Sequence, residues 1–264
     1  MAALHDGTIW ERHGNRGADT VVMIHGLGLN RQVWQWMLPA LSDSYDVITY
    51  DLCGHGESAA PPERPSLELF AHQLNAVLDA AGVETAAIVG FSLGGMICRK
   101  FAQDFPDRAG ALVILNSPHK RTDDAQAAIL KRVDQAATEG PSATVDAALG
   151  RWFTDSFRRD TPAMMDLVRS WVTANDKTIY SRIYRVLAEG ISEITNPDSQ
   201  IKVPTLVITG EQDYGNGPEM TQAIASQIPG ARTLILPGLR HMALVEDPDA
   251  VNIPVRAFLD GLPE

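Results

Sequence analysis

Cysteine is nearly absent. The 264 residues hold two, Cys53 and Cys98, which build no disulfide framework, so a reducing cytoplasm is the expected location. No Cys/His cluster stands at metal-ligand spacing, and neither a metal nor another cofactor is expected. Positive charge is scarce as well: 22 Lys or Arg against 33 Asp or Glu leave a formal net charge of −11. That argues against nucleic acid or an acidic membrane surface as a partner, because both need a basic patch. No stretch approaches ~18 consecutive apolar residues, so no membrane span is expected. The opening Met1-Ala2-Ala3-Leu4-His5-Asp6-Gly7 has neither a basic nor an apolar leader segment. Internal repeats and low-complexity tracts are lacking too. What remains is 45% apolar and 21% charged, a composition that buries one large α/β core, with or without an insertion.

The apolar runs alternate with helical patterns. Thr8–His13 reads as a short antiparallel strand, and Thr20–His25, Asp46–Asp51, Thr85–Val89, Ala111–Asn116, Val203–Thr209 and Arg232–Leu236 read as further strands. Several are continuous apolar runs, as strands buried on both faces of a parallel sheet should be. Helices are expected over Val33–Leu38, ending or kinking at Pro39; after the capping Ser66, with Leu67, Phe70, Leu74, Val77 and Leu78 on its buried face and Gly82 at its end; from Met96 to about Phe105; over 218–228; and over Asp249–Leu259. Between His119 and Thr195 the strand signal vanishes. That stretch is helical in pattern and reads as an inserted cap, leaving a core of 1–118 and 196–264 around a cap of 119–195. The order implies an α/β fold: a mostly parallel twisted sheet of about eight strands with helices on both faces.

The strongest local signal is Gly90-Phe91-Ser92-Leu93-Gly94. A strand leads in and a helix leads out, so Ser92 sits at the apex of a tight turn that pushes its Oγ out of the fold. The unpaired N–H groups opening the helix stabilise negative charge that develops there. By itself the five-residue pattern also admits, as the lesser reading, a serine that merely caps a helix. A dinucleotide reading of Gly26-Leu27-Gly28 fails, since Arg31 stands where a third glycine is needed.

Topology sharpens this. Ligands of open α/β sheets bind beyond the carboxyl ends of the strands. His25-Gly26-Leu27-Gly28, Ser92, Asp213 and His241 each follow a strand, so features spread over the chain converge on one rim. A serine hydroxyl needs a base within reach, and the imidazole of His241 is the natural one. A buried carboxylate on its other nitrogen, supplied by Asp213, holds the ring and its tautomer. The N–H groups of Leu27 and Leu93 are the expected oxyanion donors.

With these residues in place, the chain resembles the α/β-hydrolase-fold enzymes. The motifs are His25-Gly26-Leu27-Gly28, Asp51-Leu52-Cys53-Gly54-His55-Gly56-Glu57-Ser58, Gly90-Phe91-Ser92-Leu93-Gly94-Gly95, Gly210-Glu211-Gln212-Asp213 and His241-Met242, in the family's order of serine, acid, histidine. The resemblance implies a serine hydrolase acting on a small ester or lactone, with Ser92, Asp213 and His241 catalytic and with His25 and His55 bonding loop backbone. Two positions depart from the family pattern. Cys53 stands where arginine is usual, and Arg240 stands where glycine is usual. Arg240 is either a cation beside the base or a side chain pointing to solvent, the second being favoured.

Serine at the turn separates the chain from epoxide hydrolases and haloalkane dehalogenases, which carry aspartate there. The His25 loop also lacks the Gly-Pro-Gly of hydrolases that cleave carbon–carbon bonds. Arg151-Trp152-Phe153-Thr154 and Phe157 resemble the 3-oxoadipate enol-lactonase and carboxylesterase branch. Trp152, Phe153, Met164 and Trp171 are expected at the substrate pocket. Residues 119–195 hold 11 Lys or Arg and 11 Asp or Glu, so the rest of the chain carries the whole −11. A neutral cap bearing arginines would suit a carboxylate-bearing substrate, though such arginines are as a rule solvated helix faces. Two other functions fit the same fold: a non-catalytic small-ligand receptor, and a cofactor-free haloperoxidase or perhydrolase. The oligomeric state is not legible.

Overall fold

The computed structural model describes residues 1–195 and 200–263. Eight strands form one sheet: β1 (Ala2–Ala3), β2 (Ile9–Gly14), β3 (Thr20–Ile24), β4 (Asp46–Tyr50), β5 (Ala86–Phe91), β6 (Ala109–Leu115), β7 (Thr205–Gly210) and β8 (Arg232–Leu236). Their spatial order is β1-β2-β4-β3-β5-β6-β7-β8. β1 pairs with β2, and β2 with β4, antiparallel; every other pairing is parallel. Val21, Val22, Met23 and Ile24 of β3 are wholly buried, because helices cover both faces of the parallel region. The chain winds outward from β3 in both directions. The crevice between the carboxyl ends of β3 and β5 is therefore the switch point where such folds bind ligands.

The helices ahead of β6 are α1 (Leu38–Leu41), α2 (Leu67–Ala81) and α3 (Leu93–Asp104). Between β6 and β7 the described residues form α4 (Asp123–Glu139), α5 (Ser142–Trp152), α6 (Asp155–Asp160), α7 (Pro162–Thr173), α8 (Lys177–Glu189) and α9 (Ile191–Thr195), with no strand. α10 (Pro218–Ser226) follows β7, and α11 (Ala243–Glu246) and α12 (Pro248–Asp260) follow β8. Residues 196–199, where the second core segment was expected to begin, lie outside the described residues. Among the described residues no helix is long and apolar enough to cross a membrane.

α2 shows how directly the sequence shapes these elements. Ser66 Oγ accepts the Leu69 N–H at 3.0 Å at its start, and Gly82 closes it at φ 68°. The apolar stripe Leu67, Phe70, Leu74, Val77 and Leu78 is buried, as its three- and four-residue spacing predicts. The expected helix over Val33–Leu38 differs. A 3₁₀ helix spans Arg31–Trp36, and α1 starts afresh at Leu38 with Pro39 in its first turn. Proline lacks the N–H needed to continue a helix but is tolerated where that N–H has no partner.

Candidate active site

Ser92 stands between β5 and α3 with φ 55° and ψ −111°, a conformation that a non-glycine residue keeps only where its surroundings enforce it. Here the Ser92 N–H donates to Leu115 O at 2.8 Å and the Gly95 N–H donates to Ser92 O at 3.0 Å. Close packing does the rest. A Cβ on Gly90 would collide with the Gly94 carbonyl, and one on Gly94 with the Ile24 carbonyl. Only glycines let α3 lie directly on β3 and β5. The turn delivers Ser92 to a cavity of about 340 Å³ that it shares with Gly26, Leu27, Trp152, Asp213 and His241.

Asp213 follows β7 and His241 follows β8, and both are buried. His241 Nδ1 lies 2.7 Å from Asp213 Oδ2. The same oxygen accepts the Asn116 amide at 2.9 Å, while Oδ1 accepts the N–H groups of Gly215 at 3.0 Å and Asn216 at 3.1 Å. Burial works against ionisation of Asp213, but His241, Asn116 and the Gly215 amide outweigh it and hold the carboxyl below its ordinary value. An Nδ1–H donated to an ionised carboxylate leaves the Nε2 lone pair free to take a proton. The imidazole is boxed by Phe91 and Trp152, whose ring centroids lie 5.0 and 6.0 Å away.

Asn116 had no assigned role in the sequence. It ends β6 in a left-handed conformation, φ 48°, and also accepts the Asn216 side-chain amide on its carbonyl at 2.8 Å. An asparagine closing a buried strand was the available signal, since asparagine tolerates this region better than most residues.

The loop after β3 brings Leu27 to the cavity. A Cβ on Gly26 would lie 3.2 Å from Ser92 Cβ, so the loop rests against the serine. Two buried histidines hold it. His55 Nε2 accepts the Gly28 N–H at 3.0 Å, and His25 Nε2 accepts the Leu52 N–H at 2.9 Å while its Nδ1 meets Gly26 O at 2.8 Å. Neither lines the cavity; both tie loop backbone. Asp51 adds a second brace, accepting the Arg31 N–H at 2.7 Å and pairing with its guanidinium. Leu93 opens α3. Neither the Leu27 nor the Leu93 N–H has an acceptor among the described residues.

Of the expected pocket residues, Trp152 lines the cavity and three do not. Phe153 is wholly buried and stacks on Phe157 at 5.4 Å. Trp171 donates its indole N–H to Gln32 Oε1 at 3.2 Å and packs near Trp36. Met164 packs against the core from its half-buried position. Helical spacing shows which face is buried but not what that face meets. The residues supplied instead by the segment between β6 and β7 include Arg121, Arg132, Arg151, Tyr180 and Tyr184.

Arg240 corrects a second expectation. It does not point to solvent: it is 9% exposed. Its Nη1 donates to Gly150 O at 3.1 Å, Phe153 O at 2.7 Å and Asp155 Oδ1 at 2.9 Å, and its guanidinium lies over the Tyr214 ring. The Met242 N–H donates to Trp152 O at 2.9 Å. The histidine loop is thus stapled to the end of α5. Cys53 and Cys98 are buried away from the cavity, and burial raises both thiols, that of Cys53 to about 12. No group of three or more potential metal ligands occurs among the described residues.

Comparison with known proteins gives a consistent picture. The chain is 27% identical over 245 residues to an (E)-2-((N-methylformamido)methylene)succinate hydrolase of Acinetobacter baylyi, covering 93% of this chain and 92% of that protein. It is 27% identical over 246 residues to 3-oxoadipate enol-lactonase 2 of the same organism, covering 93% and 90%. The crystal structure of the enol-lactonase from Burkholderia xenovorans superposes with a TM-score of 0.87 at 27% identity, over 96% of each chain. The sequence profile of the alpha/beta hydrolase fold matches residues 19–248. On that match, over the sheet and site just described, the chain belongs to the alpha/beta hydrolase fold family.

Proposed function

We propose that this chain is a serine hydrolase that cleaves a carboxylic ester or small lactone through an acyl-enzyme. One observation carries the reading: a serine held at a strained strand-to-helix apex shares a cavity with a histidine whose other nitrogen is bound to a buried carboxylate. Ser92 Oγ attacks the acyl carbon as its proton passes to His241 Nε2, and Asp213 steadies the imidazolium that forms. The tetrahedral oxyanion accepts the free N–H groups of Leu27 and Leu93. Each such donor lowers the barrier by about 3 kcal/mol. The acyl C–O bond then breaks and the departing oxygen takes the proton from His241. Water gives a proton to the same nitrogen and attacks the acyl carbon. Ser92 leaves with that proton and the acid is released.

Residues 119–195 act as a cap over a core of 1–118 and 196–264, and the cap roofs the reaction. The relative named as an enol-lactonase supports the lactone arm. Two buried free cysteines fit a reducing cytoplasm. The test compares kcat/KM for 3-oxoadipate enol-lactone and p-nitrophenyl butyrate, with Ser92→Ala beside the native chain. A lactone advantage of several orders of magnitude supports a lactonase, and turnover of the activated ester alone leaves a carboxylesterase. Activity retained by a folded Ser92→Ala variant defeats the mechanism.

A further inference from the structure

Arg121, Arg132 and Arg151 line the cavity that holds Ser92 and His241. They reach it from the loop before α4, from within α4 and from the last turn of α5. Of the other arginines of this helical segment, Arg182 is exposed and has no ion pair among the described residues, while the rest meet carboxylates: Arg158 with Asp155, Arg159 with Asp160, Arg169 with Asp146 and Asp166, Arg185 with Asp134 and Glu189. The three at the cavity form no ion pair among the described residues. Asp213 is the one carboxylate among the residues lining the cavity, and His241, Asn116, Gly215 and Asn216 already engage it.

Their hydrogen bonding is equally incomplete. A guanidinium carries five N–H donors. Arg121 donates to Ala188 O and Leu187 O at 3.3 Å, Arg132 donates its Nε–H to Tyr184 Oη at 3.2 Å, and the Arg151 side chain has no acceptor among the described residues. All three are half-buried. Burial is the largest cause that lowers Arg121, to about 10, and Arg151; Arg132 lowers both as well, while Tyr184 works the other way. Crowding of like charges in a partly dry site favours whatever anion relieves it. The protein carries −11 overall, so a positive patch here is a local arrangement against the general field. Beside it, Ala125, Ala128, Ile129 and Ala148 give an apolar wall suited to a short carbon chain.

We propose that Arg121, Arg132 and Arg151 form a carboxylate subsite, and that the substrate is an ester or lactone bearing a free carboxylate remote from the scissile acyl carbon. The proposal rests on the serine-hydrolase reading for what happens at Ser92, and the subsite adds which molecules reach it. Arginine forks match planar carboxylates with two parallel N–H bonds.

The experiment uses matched esters: the mono-4-nitrophenyl esters of glutarate and adipate against 4-nitrophenyl pentanoate and hexanoate. The native chain is expected to favour the anionic member by about 10- to 100-fold in kcat/KM, the range of one or two charge-assisted hydrogen bonds. Arg132→Met and Arg151→Met are each expected to lower that ratio about tenfold or more, with Arg151→Lys keeping part of it. Added salt is expected to lower kcat/KM for the anionic esters and not for the neutral ones. This reads the same charge in the native chain should a methionine variant fail to fold. A native ratio of one or less, an equal loss on both esters in the variants, or a flat salt profile overturns the subsite.

Calorimetric titration with adipate separates the two readings. If no ester turns over yet adipate binds the native chain and not Arg151→Met, the hydrolase reading falls and the subsite stands. If the neutral esters turn over through Ser92 with no gain for the anionic ones, the subsite falls alone. Glycerol 3-phosphate binding more tightly than adipate would reject a carboxylate as the ligand.

Discussion

Acidification from pH 7 to pH 5 should weaken the fold through His25 and His55. Both are buried, and burial is the first cause that lowers their values, to about 4 for His25 and about 3 for His55; for His55 the neighbouring His25 adds to it. Each uses Nε2 to accept a backbone N–H, from Leu52 and Gly28, and an imidazolium cannot accept. The sign follows from the depressed folded values. Above about pH 6.5 both states hold the neutral ring, and stability is whole. As the pH falls toward about 4 the unfolded chain takes up protons that the folded chain refuses. At pH 5 an ordinary histidine near 6.5 is about 97% protonated, which stabilises the unfolded state by about 2 kcal/mol per residue. The pair therefore contributes about 4 kcal/mol of loss, a large share of a typical stability. The figure depends little on the folded values, provided both lie below 5. Carboxylates add most of their effect below that pH, and His119, which burial also lowers, acts in the same direction within the same window. Urea unfolding at pH 7 and pH 5 measures the loss, and the ring-proton shifts of His25 and His55 by NMR identify its source. A stability change under about 1 kcal/mol, or titration of either ring near 6.5 in the folded protein, would refute the reasoning. Because His55 anchors Gly28, the loop bearing Leu27 should loosen in the same window.

Three substitutions probe the rest of the site. Asp213→Asn places an amide where a carboxylate accepts from His241, Asn116, Gly215 and Asn216; kcat should fall about 10³- to 10⁴-fold with the fold retained, and a loss under tenfold in ester assays would remove Asp213 from the mechanism. Arg240→Met leaves the Gly150 and Phe153 carbonyls without their donor and should lower stability by about 2 kcal/mol, while the exposed Asp155 partner adds little. Thermal denaturation reads this, and an unchanged midpoint would deny Arg240 its role as a staple. Gly94→Ala drives a methyl into the backbone of Ile24 and His25 and should cost about 3 kcal/mol or more; near-native stability by urea titration would contradict the close contact of α3 with β3.

The sequence by itself determined what depends on neighbours along the chain and on topology. Gly90 and Gly94 around Ser92, behind an apolar run and ahead of a helical one, specify a strand-turn-helix with a serine at its tip. Once the strands alternate with helices in a parallel sheet, Leu27, Ser92, Asp213 and His241 must share a rim, because each follows a strand. The tertiary structure alone decided which side chains of the segment between β6 and β7 face that rim. Trp152 enters the cavity while Phe153, its neighbour, is sealed beside Phe157. The three cavity arginines look in sequence like their partnered neighbours on the surface. Arg240 finds its acceptors at Gly150, Phe153 and Asp155, far back in the chain. A period of 3.6 residues marks a buried stripe, but the rotation of a helix about its axis is set by the elements it packs against. Those partners lie tens of residues away, and no local pattern encodes where they will be.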